Sequence, residues 1–160
     1  MAVSEIIGAA VGVMLLIIVA YVVVSGTLIA GETMATAQKD LTLQQEIRVR
    51  TAFTISDQRN DTSNLILANI TNTGTEIIGD FKHMDVIVYN KNSNVYEFCN
   101  YSSGAATAGR WGISSKYDEF IHKNELDPGE KYEIWIQPVG DSPKWFQITT
   151  ANGVYASAFL

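Results

Sequence analysis

The first part of the chain is apolar without interruption between Glu5 and Glu32, and no charged residue lies between them. An apolar segment of 18 or more residues predicts a membrane-spanning helix. The residues that follow keep a helical pattern, because Met34 and Leu41 fall on one face and polar residues fill the other. We therefore expect one long helical domain, residues 1–47.

From Arg48 onward, the apolar positions recur at every second residue. The stretch RVRTAFTIS alternates in this way, and YEIWIQ does so again later in the chain. Turn signals separate such stretches, among them Asp127-Pro128-Gly129 and the pair Asn152-Gly153. About six to eight short strands at this spacing predict an antiparallel sandwich. The expected fold class is α+β: a long N-terminal hydrophobic helix followed by an Ig-like antiparallel β-sandwich, residues 48–160.

Two features of the apolar helix favour close packing. Gly8 and Gly12 stand four residues apart, and small residues at this spacing let helix backbones approach each other in a membrane. Glu5 either lies among lipid headgroups or enters an apolar bundle, where a carboxylate needs a positive partner such as an amino terminus. The helix is thus a membrane anchor with a polar stalk or an element that packs against copies of itself. The candidate packing residues are Glu5, Gly8, Gly12, Leu15, Leu16, Val19 and Val23.

A cleavable secretory signal fits the first residues poorly, since its apolar core is usually about 7 to 15 residues long and follows a basic start. The first basic residue here is Lys39, which by the positive-inside rule would place the β domain in the cytoplasm. Removal of a basic leader would invalidate that rule for this chain. Met1 would then be the processed terminus.

The composition limits the classes of function. The chain has 11 Lys and Arg residues against 17 Asp and Glu residues, a net charge of -6, which argues against nucleic-acid binding because phosphate recognition needs clustered bases. The single cysteine, Cys99, excludes an internal disulfide and is expected to be a buried strand residue.

Candidate catalytic and metal-binding residues are few. His83 and His122 belong to no paired ligand motif, and the chain has no G-x-S-x-G, P-loop or C-x-x-C sequence. We therefore expect no enzyme, no cofactor and no small-molecule substrate, with a membrane-tethered enzyme as the least supported alternative. One acidic segment is expected to be a solvated face, with Ca²⁺ binding as the alternative. Its acids are Asp118, Glu119, Glu125, Asp127 and Glu130.

Three N-x-S/T sequons and two tryptophans are candidate surface features. The sequons begin at Asn60, Asn69 and Asn100, and Asn69 is the doubtful one because it falls within a predicted strand. Trp111 lies in a loop-like stretch, and Trp135 faces away from the apolar side of its strand. Each indole is either an exposed contact between neighbouring domains or folded under a loop.

These residues resemble a known family. An apolar terminus with glutamate at the fifth position, as in MAVSEIIGAA, resembles type IV pilins, archaeal pilins and archaellins. The stretches LILANITNTGTEII, ELDPGEKYEIWIQP and WFQITTANGVYASAF look like the β-sandwich of archaellins and of the membrane-anchored accessory subunits of the archaellum. The resemblance implies a helix that waits in the membrane until a peptidase removes a basic leader, although no such leader is present here. It also implies that Glu5 neutralises a neighbouring amino terminus during assembly by an ATPase and a membrane platform.

The function expected from this resemblance is a structural subunit of a helical cell-surface filament, for motility or adhesion. Such a subunit is a homo-oligomer in the filament and is inserted in the cytoplasmic membrane before assembly. The alternative is a membrane-anchored accessory or stator protein of the archaellum, whose β-sandwich binds the cell-surface layer.

Overall fold

The structure is a computed structural model that describes residues 2–61, 63–117, 119 and 121–160. The expectations about Met1 and Asp118 lie outside these residues, as does Thr62 of the first sequon. The chain divides into two compact units, Met1–Leu43 and Gln44–Leu160. Helix α1 is Ala2–Arg50, so it ends at Arg50 rather than at Ile47 as the sequence pattern predicted.

Helix α1 combines an apolar first half with hydroxyl residues that bond to their own helix. The hydroxyls of Thr27 and Thr33 donate to the carbonyls of Val24 and Ile29, each at 2.8 Å. Such bonds satisfy polar side chains without an outside partner. All of the backbone bonds of a helix are internal as well, which suits this segment to an apolar solvent.

The last turn of α1 belongs to the second unit, where the NTGT turn holds its end. The backbone amide of Thr75 donates to the carbonyl of Arg50 at 2.9 Å, and the amide of Gly74 donates to the carbonyl of Ala52 at 2.9 Å. A Cβ on Gly74 would lie 2.4 Å from the Arg50 carbonyl oxygen, so only glycine fits there. The NTGT sequence therefore caps the helix as well as turning the chain.

Eight strands lie within the described part of the second unit and follow one another along the chain. They are β1 Phe53–Asn60, β2 Ile66–Asn72, β3 Asp85–Asn90, β4 Val95–Tyr101, β5 Arg110–Lys116, β6 Lys131–Gln137, β7 Pro143–Thr149 and β8 Tyr155–Phe159. A short 3₁₀ turn, Phe81–His83, precedes β3.

The strands form one sheet in the order β1-β2-β6-β5-β4-β3-β7-β8. The sheet closes on itself like a sandwich, because the side-chain amide of Gln58 in β1 donates to the carbonyl of Phe159 in β8 at 3.3 Å. The α+β prediction of a long helix followed by a β-sandwich is confirmed. One pairing differs from the antiparallel expectation, because β4 and β5 run parallel over two residue pairs. At this pairing one half of the sheet, β1-β2-β6-β5, meets the other half, β4-β3-β7-β8.

The core of the second unit is lined by the inward residues of both sheet halves. Trp111, Tyr132 and Phe146 are the largest side chains that are fully buried there. The Tyr132 hydroxyl donates to the carbonyl of Glu125 at 2.5 Å, and burial raises the pKa of this phenol above its usual value. The core therefore accommodates a tyrosine because its polar end is bonded.

The interpretation of the two tryptophans as exposed contacts is wrong. Trp111 lies on β5 rather than in a loop and has no exposed surface, while Trp135 on β6 exposes 6%. Trp135 fits beside Gly112, its partner in the neighbouring strand, where a Cβ would lie 2.7 Å from the indole ring. The glycines that indicated a loop are strand residues that leave room for an indole.

Candidate functional site

The candidate packing residues of the helix lie along one stripe of α1. Gly8, Gly12, Val19 and Val23 follow at helical spacing, and the two valines each expose 58% of their surface. Within the described residues, apart from the adjoining helix backbone and chain neighbours, no atom lies within 4 Å of a Cβ placed on Gly8 or Gly12. The stripe is therefore open to lipid or to another helix, and its role in assembly stays a prediction.

One helix in the described part of the chain, Val3–Arg50, is long and apolar enough to cross a membrane. Leu15 and Leu16 expose 57% and 70% of their surface, so the apolar side chains of this helix are not covered by the chain itself. A helix that is apolar all round is typical of a membrane span or of a bundle core.

The acidic segment before β6 is organised by hydrogen bonds. Asp127 exposes only 1% of its surface, and its carboxylate accepts from the backbone amide and from Nδ1 of His122, both at 2.8 Å. Glu130 is also buried, and its Oε2 accepts from the backbone amide of Asp127 at 3.0 Å. The expectation of a solvated face is wrong for these two acids, because they hold the turn that leads into β6.

The same hydrogen bonds shift the pKa values of this segment. The bond to Asp127 raises the pKa of His122 and lowers the pKa of Asp127. The pKa of Glu119 is lowered, first by the backbone amide of Asn124 and then by Lys116, whose Nζ lies 3.0 Å away. No group of three or more histidine, cysteine or acidic side chains that could hold a metal ion occurs among the residues described.

The other singled-out polar residues have simple surroundings. Exposed His83 pairs with Asp80 at 2.7 Å beside the 3₁₀ turn. The prediction of a buried cysteine is confirmed, since Cys99 exposes 3% of its surface. Burial, followed by the charge of Glu97, raises the pKa of the Cys99 thiol to about 12, so the thiol is unreactive at neutral pH.

The three sequons differ in accessibility. Asn60 and Asn100 are exposed at the ends of β1 and β4. Asn69 exposes only 8% of its surface, and its side-chain amide donates to Asp57 Oδ2 at 2.8 Å. Asn69 is therefore inaccessible to a glycosylating enzyme in the folded domain, because its side chain is buried and bonded to Asp57.

The four most exposed aromatic residues of the described β domain, Tyr96, Phe98, Tyr155 and Phe159, lie on one surface. We call it the outer face: the side of β4, β3, β7 and β8 that points away from the core. One line of residues crosses all four strands, since Tyr96 pairs with Tyr89, Tyr89 with Trp145, and Trp145 with Phe159. We call these four residues the aromatic row. The row beside it is Phe98, Ile87, Gln147 and Ser157.

Three rings of the aromatic row, those of Tyr89, Tyr96 and Trp145, contact one another across the strands. The Tyr89 and Tyr96 ring centroids lie 5.0 Å apart, and those of Tyr96 and Trp145 lie 6.3 Å apart with the rings edge to face. Tyr89 donates its hydroxyl to Asn94 Oδ1 at 2.8 Å. These contacts order the rings on a surface that faces water in the single chain.

Sequence reasoning missed the outer face, although a partial signal was present. The stretch VYEFCNY alternates, so a buried Cys99 requires that Tyr96 and Phe98 point outward. No comparable signal joins these residues to Trp145 and Phe159, which lie on strands far along the chain. Only the strand order brings the four together.

No protein-family model and no curated protein matches the chain. Two of the solved structures that share its fold come from the archaellum. One is the archaellum periplasmic stator protein FlaG from Sulfolobus acidocaldarius, with a TM-score of 0.51 and 24% identity, covering 69% of this chain and 99% of that chain. The other is the periplasmic stator complex of FlaF and FlaG from the same organism, with a TM-score of 0.50 and 24% identity, covering 68% and 87%. The chain therefore has a fold similar to that of archaellum periplasmic stator proteins.

Proposed function

We propose that this chain is a membrane-anchored accessory subunit of stator type in an archaellum-like surface machine. The observation that carries the proposal is the shared fold with FlaG, which extends over 99% of that chain. The apolar helix α1 would anchor the subunit in the cytoplasmic membrane, and the β domain would lie outside it.

This proposal reverses the order of the two functions expected from the sequence. The two solved structures named above are stator proteins, whereas the resemblance to pilins favoured a filament subunit. The filament subunit remains the second candidate because of the stripe of small residues around Gly8 and Gly12. A stable anchor and a filament core need the same kind of helix, so α1 alone does not separate the two functions.

The proposal includes a different protein of the same machine as partner. The second solved structure holds FlaF and FlaG in one complex, which supports a heteromeric assembly for a chain with this fold. We further propose that the chain is not an enzyme and uses no cofactor, because its titratable clusters are used to hold loops. Lys116, for example, lies in an open groove but is bound by Glu119 and Asn124.

Fractionation of cells that produce the chain tests the two candidate functions. We expect the chain in the membrane fraction, cross-linked to other proteins of the surface machine, and not in sheared filaments. Long filaments composed of this chain, seen by electron microscopy, would overturn the proposal in favour of the filament subunit.

The side of the membrane on which the β domain lies is tested by a cysteine at exposed Ser63. A membrane-impermeant maleimide should label Ser63→Cys equally in intact and permeabilised cells. The wild-type chain is the matched control, because buried Cys99 with its raised pKa should stay unlabelled. Labelling that requires permeabilisation would place the domain in the cytoplasm and contradict the proposal.

Glycosylation would follow from an external β domain in cells that attach glycans to asparagine. We propose Asn60 and Asn100 as the accessible sites, and buried Asn69 serves as the internal control. Intact-mass measurement of the N60Q, N100Q and N69Q variants checks this: only the first two substitutions should remove glycan mass.

A further inference from the structure

We infer that the outer face of the β domain is a homodimer interface, and that its occupant is the same face of a second copy of this chain. The inference rests on the juxtaposition of the aromatic row with the row of Phe98, Ile87, Gln147 and Ser157. It is independent of the proposed function, because it depends on neither the helix nor the solved structures.

The exposed apolar area of the outer face is large. Tyr96, Phe98, Tyr155 and Phe159 each expose between 63% and 76% of their surface. Since an aromatic side chain offers about 150–250 Å², these four alone present on the order of 500 Å². The largest apolar patch of a typical monomer is about 300–600 Å² and is often functional. Further exposed area comes from three half-buried residues, Ile87, Tyr89 and Trp145. A stable interface buries about 800 Å² on each partner, and the total exposed area of the face approaches this value.

Charge is nearly absent from this face. In the regularly paired outward positions of β3, β4, β7 and β8, which the structure describes completely, the charged residue is Asp85, at the end away from the aromatic row. Exposed Lys144 lies outside this pairing, at the bulge of β7 directly before Trp145. The whole chain carries a net charge of -6. Two copies of an acidic chain repel each other wherever carboxylates meet, so an uncharged face is the surface on which they can pack. A strongly basic partner would instead bind to the acidic surfaces of this chain.

The geometry of the face suits a second sheet. The aromatic row crosses four neighbouring strands, which at about 4.8 Å per strand is a strip about 14 Å wide. Two such faces pack with their sheets about 10 Å apart and with side chains interdigitated. In a two-fold arrangement the same patch serves both copies, so one surface needs no separate complementary partner. The Tyr89 hydroxyl is already bonded to Asn94, so burying it leaves no unpaired group.

Two other strongly exposed apolar residues of the described domain lie away from this surface. Ile121 and Val139 expose 72% and 73% of their surface, but each lies in a loop outside the outer face. They match the row residues in exposure and are therefore controls for a general effect of removing apolar surface.

The first experiment measures the mass of the full-length protein in detergent micelles, by light scattering during size exclusion, from micromolar to about 100 µM. We expect a concentration-dependent dimer for the wild type. The double variant Tyr96→Ser/Phe159→Ser should weaken the dimer by about tenfold or more, because aromatic residues at an interface centre carry much of its affinity. Ile121→Ser and Val139→Ser should dimerise as the wild type does.

Several outcomes would overturn the inference. A wild-type chain that stays monomeric over this range contradicts it, and so does a double variant with unchanged dimerisation. A dimer lost in Gly12→Leu but kept in the double variant would assign self-association to the helix. A monomeric chain that loses a different protein partner on the same double substitution would assign the face to that partner.

A second measurement stays informative when the double variant folds poorly. Ser157 is exposed on β8, the outermost strand of the outer face, between Tyr155 and Phe159 along the strand. A cysteine there should be bridged to its copy by a bismaleimide that spans the about 10 Å between packed sheets. Ser63→Cys lies away from the face and is the matched control. A many-fold higher yield of cross-linked dimer from Ser157→Cys supports the interface, whereas equal yields from the two variants contradict it.

Discussion

In helix α1, large apolar side chains such as Ile6 and Leu16 expose 68% and 70% of their surface, whereas Ile66 and Ile134 in the β domain expose none. Burial stabilises a fold by about 25 cal/mol for each Å² of apolar surface removed from water. The β domain thus obtains this stabilisation from its own core. The helix has no core within its own unit, so the contribution of its apolar surface depends on the surroundings.

This contrast can be measured because all three tryptophans, Trp111, Trp135 and Trp145, lie in the second unit. Tryptophan fluorescence during denaturant unfolding therefore reports on the β domain and not on the helix. The same signal can be recorded on the full-length protein in detergent, where helix variants serve as controls for variants of the β domain.

The largest effect is expected from emptying the core. Trp111→Ala removes a fully buried indole that contacts Tyr101 edge to face, with ring centroids 5.1 Å apart. The free energy of unfolding should fall by about 3–5 kcal/mol. Leu16→Ala is the control in the helix and should leave the fluorescence-detected transition unchanged. An equal loss of unfolding free energy in both variants would contradict this difference between the core of the β domain and the helix.

A pair of glycine substitutions sharpens the comparison at the level of the backbone. Gly74→Ala places a Cβ 2.4 Å from the Arg50 carbonyl oxygen and should cost about 1–3 kcal/mol of unfolding free energy. Gly8→Ala meets open space in the described chain and favours the helix, so the domain should unfold as in the wild type. Destabilisation by Gly8→Ala and not by Gly74→Ala would contradict this assignment.

A smaller effect is expected from the pH dependence of the domain. The folded state raises the pKa of His122, so this contribution to stability is complete below the ordinary value of 6.5 and is lost as pH rises through the raised pKa. Asp127, with its lowered pKa, contributes above its ordinary value of 3.8 and loses that contribution as pH falls through the lowered pKa. The His122–Asp127 pair should therefore stabilise the folded domain most between pH 3.8 and pH 6.5.

Thermal unfolding from pH 4 to pH 8 checks this window. The unfolding temperature of the wild type should decline above neutral pH as His122 loses its proton. In the His122→Asn variant this decline should be smaller. His83→Asn is the matched control, because exposed His83 pairs with Asp80 on the surface. Identical pH profiles for the wild type and His122→Asn would refute a role of the His122 pair in stability.

The smallest effect on the domain is expected from Glu5→Ala at the start of the helix. The β domain should unfold as in the wild type, and the chain should remain in the membrane fraction. If the chain is an accessory subunit, cells that carry only Glu5→Ala should still form surface filaments. Loss of filaments in a strain that carries only this variant would instead favour the filament subunit, in which Glu5 neutralises an amino terminus.

Much of the local structure could be predicted because it depends on neighbouring residues. The apolar segment indicated the helix, and the alternation in YEIWIQ indicated β6. Asn152-Gly153 turns the chain between β7 and β8 with Gly153 at a φ of 81°. The prediction of Trp111 as a loop residue failed because glycines next to an indole indicate either a loop or a crowded strand, and only the neighbouring strand decides between them.

By itself, the sequence determined the solvent of each unit and the period of its elements. An apolar segment needs an apolar environment whatever it packs against, and alternation divides a strand into two faces without specifying its neighbours. The tertiary structure alone decided which face is inside, the parallel joint of β4 and β5, and the aromatic row. That row joins Tyr96, Tyr89, Trp145 and Phe159 across three strand pairings, and no local pattern encodes pairings between residues so far apart along the chain.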